Sequence, residues 1–298
     1  MVTEGEFKSG FVGIIGRPNV GKSTILNNLA HRKIAIISDK PQTTRNKIRA
    51  IVNTDDAQII FIDTPGFHKP RNALGEVLNK AVRETFSEVD VILFVLDGTK
   101  IIGKGDLFIA NELSGLKTPV VAVLNKIDKL TVEQVQAQMA VIENMGEYQE
   151  VIPISAKTGE NIHSVILKVV SLLPAGPKYY PEDMITDQPA TFIVAELIRE
   201  KILLLTREEI PHSVTVQVEE MRRREDKDII DISVTIYVER DSQKGIIIGK
   251  GGRMLREIGS MARQEIEPLL GEHVFLELRI KVEKDWSRHP QALRRLGF

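Results

Sequence analysis

Gly16-Arg17-Pro18-Asn19-Val20-Gly21-Lys22-Ser23 fits the pattern GxxxxGK[ST], and its flanks decide how the first half of the chain is read. Just before it, Phe11–Ile15 is a short apolar run with the character of a strand, and just after it Ser23–Ala30 has helical spacing. A strand, a glycine-bounded loop and a helix start together form an anion cradle. Gly16 and Gly21 let the backbone curl closely around phosphates, and the first N–H groups of the helix are unpaired donors. Lys22 supplies charge to β- and γ-phosphates, and the Ser23 hydroxyl is a ligand for Mg²⁺. Asn19, Val20 and Thr24 complete the expected lining.

Further out, Gln58–Ile62, Val91–Leu96, Val120–Leu124 and Val151–Ile154 are also short, rich in Val and Ile, and bounded by Gly, Pro or Asp. Helix-like segments lie between them. Such alternation predicts an α/β fold, a mostly parallel sheet covered on both faces. Ile48–Asn53 and Gln58–Ile62 flank the turn-like Thr54–Ala57, so one sheet edge is expected to be an antiparallel hairpin.

Two further motifs follow in order. Asp63-Thr64-Pro65-Gly66 ends a strand, where a parallel sheet presents its ligand crevice. There Asp63 can hold Mg²⁺ through water, and the Gly66 N–H can sense a γ-phosphate. Asn125-Lys126-Ile127-Asp128 follows Val120–Leu124. A carboxylate at that place accepts from guanine N1–H and from the exocyclic amine, a donor pair that adenine lacks. Ser155-Ala156-Lys157 closes the next strand, and the Ala156 N–H is expected on guanine O6. The ligand is thus read as GTP or GDP with Mg²⁺, and the reaction as GTP hydrolysis.

Composition bounds the rest. The 298 residues, with 42% hydrophobic, suffice for two packed domains, and the net charge of −1 excludes a strongly basic nucleic-acid binder while leaving room for a local basic face. With no cysteine, disulfides, thiolate metal sites and cysteine nucleophiles are impossible, and a reducing compartment fits most easily. Neither a signal-peptide pattern nor an apolar run near 20 residues occurs, so a cytoplasmic protein is expected. Pro174, Pro177, Pro181 and Pro189 mark a linker. The expected division is residues 1–173, a linker at 174–190, and a second domain at 191–298.

With these motifs in order, residues 8–173 resemble the translation-factor-like GTPases, and the chain resembles the Era family more closely. The resemblance rests on GRPNVGKST at Gly16–Thr24, PQTTR at Pro41–Arg45 and DTPGFHKP at Asp63–Pro70. It implies that one of Thr43 and Thr44 closes over Mg²⁺, with Thr44 preferred. It also implies that Asn19 helps bind a potassium ion beside the phosphates. Lys22, Thr44, Gly66 and Asn19 are then the expected catalytic set. Small Ras-like GTPases carry a water-orienting glutamine after DxxG, whereas here Phe67 follows Gly66, which implies slow intrinsic hydrolysis. The adjacent His68 is read as an exposed loop residue.

Past the linker, Thr191–Leu205 has helical spacing, and Ser213–Glu219 and Asp231–Val238 alternate as half-buried strands do. An apolar lead-in, Ile246–Ile248, precedes Gly249-Lys250-Gly251-Gly252, an amphipathic helix at about Arg253–Leu270, and a strand at Val274–Val282. This order predicts a small α+β domain. Gly249–Gly252 fits GxxG, the loop that clamps a single-stranded backbone in KH domains. Gly249, Lys250, Gly251, Gly252, Arg253 and Arg256 are the expected RNA contacts. From Arg240 onward there are 12 Lys+Arg against 8 Asp+Glu, so positive charge gathers where that loop lies. Arg222–Arg224 with Glu225, Asp226 and Asp228 reads as a solvated hairpin loop, and Trp286 as a packing anchor.

The Era-family resemblance extends to this C-terminal part. It implies binding to the 3′ region of 16S-type ribosomal RNA, a role in small-subunit maturation, a monomeric state and, for some members, peripheral association with the inner face of the membrane. GTP would order the Pro41–Arg45 and Asp63–Pro70 segments and thereby alter docking of the second domain. Two other assignments fit the same residues: a GTPase whose second domain binds protein or a membrane surface, and a constitutive RNA-binding protein with structural nucleotide.

Overall fold

Three strands in the first half of the computed structural model are buried along their whole length, β3 (Ala57–Asp63), β4 (Val91–Asp97) and β5 (Val120–Asn125). Only a sheet covered on both faces buries every side chain of a strand. The structure describes residues 6–40, 42–70, 72–225 and 228–298. Pro41 of the PQTTR segment, Asp226 of the hairpin loop and the N-terminal Met1–Gly5 lie outside the described residues.

By chain contacts there are two compact units. One comprises Met1–Ala35, Thr44–Pro70 and Gly75–Asp187; the other comprises Ile36–Thr43, Arg71–Leu74 and Gln188–Phe298. In the first unit the elements are β1 (Lys8–Gly16), α1 (Lys22–Leu29), β2 (Ile48–Asn53), β3, α2 (Ala73–Glu88), β4, α3 (Lys104–Leu113), β5, α4 (Val132–Glu143), β6 (Glu150–Ile154) and α5 (Ile162–Leu172). Sheet order is β2-β3-β1-β4-β5-β6, all parallel except the antiparallel β2–β3 hairpin. The hairpin turns at Thr54, whose hydroxyl accepts from the Ala57 N–H at 3.0 Å.

The proline-rich segment forms no helix or strand, yet it is not a free tether within this unit. Buried Gln58 accepts the N–H groups of Tyr179 and Tyr180 at 2.7 and 2.9 Å and donates to the Tyr180 carbonyl at 2.8 Å. Arg49 pairs with Asp187 at 2.7 Å. One inward-facing glutamine thus supplies the hydrogen bonds that a strand neighbour would otherwise give.

The second unit contains α6 (Ala190–Leu205), α7 (Ile210–Ser213), β7 (Thr215–Arg223), β8 (Ile229–Val238), α8 (Asp241–Ile248), α9 (Arg253–Leu270), β9 (His273–Val282) and α10 (Pro290–Arg295). Its sheet order is β7-β8-β9, with β7–β8 antiparallel and β8–β9 parallel. Alternate residues of β8 (Ile230, Ile232, Val234, Ile236 and Val238) pack against Ile258, Ala262 and Ile266 of α9. A parallel β8–β9 pair needs a crossover, and α8 and α9 supply it. Ile246–Ile248 is corrected here from a lead-in to the last turn of a helix, because Ile247 alone of the three is buried and tertiary packing outweighs β-branched propensity. Also in this unit, Arg199 on α6 is locked to Glu196 at 2.6 Å and donates to the Thr43 carbonyl. Trp286 is fully buried, stacks on Phe298 and donates to the Ser213 carbonyl at 2.9 Å, so no base can stack on it.

Candidate functional site

β1, β3 and β5 all end on one edge of the parallel sheet, the edge where ligands gather in open α/β folds. The loop after β1 turns sharply there. Asn19 has φ +65° and Gly21 φ +102°, and a Cβ on Gly21 would sit 2.2 Å from the Asn125 amide nitrogen. Only glycine both adopts that φ and clears that neighbour. Lys22 lies in the cradle, its Nζ donating to the Gly16 and Arg17 carbonyls at 3.1 and 3.0 Å. Burial pulls its ammonium down to about 8 against the opposing pull of Asp63. Arg17, at the rim, pairs with Asp106 of α3 at 3.0 Å.

Ser23, Thr44 and Asp63 meet in one cluster. The Ser23 hydroxyl donates to Asp63 Oδ2 at 2.7 Å, the Thr44 hydroxyl donates to the same oxygen at 3.1 Å, and the two hydroxyls are 2.9 Å apart. Thr43 turns away, its hydroxyl donating to the Lys40 carbonyl at 2.6 Å. Asp63 is fully buried, and its Oδ1 has no hydrogen-bond partner. Burial pushes its carboxyl up, against Lys22 and the bonds from Ser23 and Thr44. A buried, unpartnered carboxylate oxygen beside two hydroxyls is a hard-oxygen donor set that fits Mg²⁺.

Gly66 abuts the phosphate loop so closely that a Cβ would come within 2.6–2.8 Å of Pro18. The following Phe67 N–H donates to the Gly16 carbonyl at 3.0 Å. The Phe67 ring points into the core, packed on Phe86 and Phe108 with ring centroids 5.9 and 5.4 Å away. It is fully buried and does not face the phosphate side. His68 is half-buried rather than exposed, its Nδ1 2.8 Å from the Lys69 carbonyl.

The base side is cross-linked to the phosphate side. Asn125 donates to the Val20 carbonyl at 2.8 Å and accepts from the Ala156 N–H at 2.9 Å. The Ala156 N–H, expected on guanine O6, is therefore engaged with Asn125 in this structure. Lys126 Nζ donates to the Asn19 carbonyl at 2.8 Å and to Asp97 at 2.6 Å. The Ser155 hydroxyl donates to Asp128 Oδ1 at 2.7 Å; Asp128 and Lys157 are exposed and Val20 is buried. Thr24 is half-buried at the start of α1. Asn125 does not cap the following helical turn, because its side chain is committed across the site. Asp97 was missed from sequence, although a carboxylate closing a strand is the same signal that picked out Asp63.

In the second unit, Gly249–Gly252 joins α8 to α9 with Gly249, Gly251 and Gly252 at φ +70°, +60° and +75°. Lys250, Arg253 and Arg256 are exposed. No acidic residue occupies the first turn of α9, so two arginines sit where the helix dipole prefers an anion. That arrangement is unfavourable alone and favourable with a phosphate present. The hairpin arginines differ: Arg224 donates two hydrogen bonds to the Asp231 carboxylate, both at 2.7 Å, and Arg223 meets Asp228 and Glu272 at 3.1 and 3.2 Å. Among the described residues no group of three or more His, Cys, Asp or Glu could hold a metal ion, and no helix is long and apolar enough to cross a membrane.

Comparison with known proteins matches both halves of the chain. A family model described as 50S ribosome-binding GTPase matches residues 11–126, and a KH domain model matches residues 209–287. The chain is 53% identical over 292 residues to the GTPase Era of Alkaliphilus metalliredigens, covering 98% of this chain and 99% of the relative. It is 56% identical, with the same coverage, to the GTPase Era of Alkaliphilus oremlandii. A crystal structure of Era in complex with MgGDPNP and nucleotides 1506–1542 of 16S ribosomal RNA superposes with a TM-score of 0.95 at 42% identity, covering 98% of this chain and 99% of that one. An Aquifex aeolicus Era variant bound to GDP·AlF4⁻ gives 0.94 at 42% identity with the same coverage.

Proposed function

The chain belongs to the Era GTPase family, and from that premise we propose that it binds GTP and GDP with Mg²⁺, hydrolyses GTP to GDP and phosphate, and binds the 3′ region of small-subunit ribosomal RNA during 30S maturation. The observation that carries this reading is the meeting of Lys22, Ser23, Thr44 and Asp63 at the same sheet edge as Asn125, Lys126 and Asp128. The small-subunit assignment follows the relative solved with 16S RNA over the whole chain, rather than the 50S label of the matched N-terminal family.

In this reading Gly16–Thr24 cradles the phosphates, and Ser23, Thr44 and Asp63 hold Mg²⁺, which when bound neutralises charge on the β- and γ-oxygens. Asp128 selects guanine, and Asn125, Ser155, Ala156 and Lys157 frame the base pocket. The Gly66 N–H faces the γ-phosphate. With Phe67 packed in the core, no side chain at that position orients the attacking water. Intrinsic hydrolysis is then slow, and Asn19 with a potassium ion supplies part of the missing stabilisation. Gly249–Gly252, Arg253 and Arg256 clamp a single-stranded backbone. The working division is 1–173, 174–190 and 191–298, as a monomer. The protein is placed in the cytoplasm, with a fraction at the inner face of the membrane; the absence of cysteine suits a reducing compartment.

The deciding experiment is calorimetry with GTP, GDP and ATP, followed by titration of a 3′-terminal small-subunit RNA fragment with the GTP-analogue and GDP forms. GTP and GDP should bind, and ATP should not. Whatever factor the GTP analogue adds to RNA affinity, RNA must add to the affinity for the analogue. Equal affinity for ATP, or none for either nucleotide, overturns the reading.

A further inference from the structure

We propose that Asp97 is a positioning residue for guanine-nucleotide binding, acting through Lys126 to lock the base-recognition loop onto the phosphate loop. This rests on the reading that residues 16–24 hold phosphates and 125–128 hold the base. Asp97 closes β4 beside Asn125, the residue that closes β5, the two being partners in the parallel register. It is 7% exposed. Its Oδ2 accepts from Lys126 Nζ at 2.6 Å, and its Oδ1 accepts from the Thr99 N–H and hydroxyl at 3.1 and 2.6 Å. Donors thus occupy both oxygens, and the carboxylate faces a lysine rather than a ligand.

What that lysine does gives Asp97 its consequence. Lys126 Nζ also donates to the Asn19 carbonyl at 2.8 Å. Lys126 and Asn19 both have left-handed backbone, φ +73° and +65°, a conformation that non-glycine residues hold only when their surroundings impose it. One ammonium therefore ties together two strained residues from separate loops. The Asn19 carbonyl is a neutral partner; among the described residues the charged one is Asp97. Removing one partner of a shielded, hydrogen-bonded ion pair strands the other charge and costs far more than breaking an exposed pair. Burial pushes the Asp97 carboxyl up, but the bonds from Lys126 and Thr99 outweigh it and leave it below the usual range, so it stays ionised at neutral pH. The Gly98 N–H adds a backbone tie to the Asn125 carbonyl at 2.9 Å, fixing the end of β4 against the same loop.

The test is a double-mutant cycle on the full chain, with GDP and GTP affinities from calorimetry, turnover at saturating GTP and a thermal melt. Asp97→Asn should weaken GDP and GTP alike by about tenfold, the scale of one charge-assisted hydrogen bond, with turnover at saturation within about twofold. In a Lys126→Ala background, Asp97→Asn should cost less than about twofold more, because the partner is already gone. Asp97→Glu, which keeps the charge, should retain more affinity than the asparagine variant, and it carries the test if that variant does not fold. The proposal is overturned if the two single losses multiply, if Asp97→Asn binds like the parent, or if glutamate binds as weakly as asparagine. A parent protein that binds no guanine nucleotide would instead overturn the underlying reading.

Discussion

The nucleotide site and the glycine loop of the second unit both sit at helix N-termini, and they treat charge in opposite ways. At the nucleotide site most polar groups are already engaged with one another: Asn125 with Val20 and Ala156, Lys126 with Asn19 and Asp97, Ser23 and Thr44 with Asp63. Among the described residues, Lys250, Arg253 and Arg256 of the glycine loop pair with no carboxylate, although arginines of the neighbouring hairpin do. A site that must reject adenine needs groups fixed in advance, since discrimination comes from the cost of leaving a rigid donor or acceptor unmatched. A site that grips a phosphodiester backbone needs unspent charge and an open main chain.

The sharpest way to break that contrast is Asp128→Asn. Exchanging the carboxylate for an amide removes two charge-assisted acceptors, so GTP affinity should fall by about 10²–10⁴, at about 1.5–3 kcal/mol per bond. Xanthosine triphosphate, which offers an acceptor where guanine offers the amine, should gain. Calorimetry with both nucleotides checks this, and an unchanged preference would show that the pocket is not preset.

Next comes Phe67→Gln, which installs the residue type that Ras-like GTPases use. Because the ring fills a buried aromatic cluster, the expected outcome is a loss of about 3–5 kcal/mol in denaturant-measured stability and no faster hydrolysis. Faster turnover with unchanged stability would mean that the side chain can reach the phosphates.

In the second unit, Gly251→Asp should lower RNA affinity by about tenfold or more through charge repulsion with phosphate. GTP affinity should stay within about twofold. Gly251 has φ +60° and open space around the Cβ position, and aspartate tolerates that conformation, so the melt should barely move. Arg223→Gln and Arg224→Gln mark the smallest effect, below about twofold in RNA affinity, because acids already neutralise both side chains. Hairpin variants as damaging as the loop variant would erase the distinction between spent and unspent charge.

How far the sequence could be read followed the reach of each interaction. The phosphate loop was legible because its glycines, lysine and serine act within one strand–loop–helix turn. The β2–β3 hairpin and the mostly parallel character of the sheet were legible for the same reason, as local runs with local breaks; the strand order was not. Helix α8 was not, since Ile246–Ile248 looks apolar throughout and only packing distinguishes Ile247. Where the Ala156 N–H goes, and that Asp97 holds Lys126, each depend on residues far apart in the chain.

From its order of residues the chain determined the chemistry on offer: a glycine-bounded loop carrying a lysine and a serine, carboxylates at or just past strand ends, and a glycine loop flanked by cations. Tertiary structure decided which of those groups are paired with one another and which stay free, because hydrogen bonds and ion pairs are set by distances of about 3 Å that span separations of a hundred residues. The 107 positions from Lys126 to Asn19 are the clearest instance. Spacing along the chain names both residues, but only the folded sheet brings the ammonium to that carbonyl.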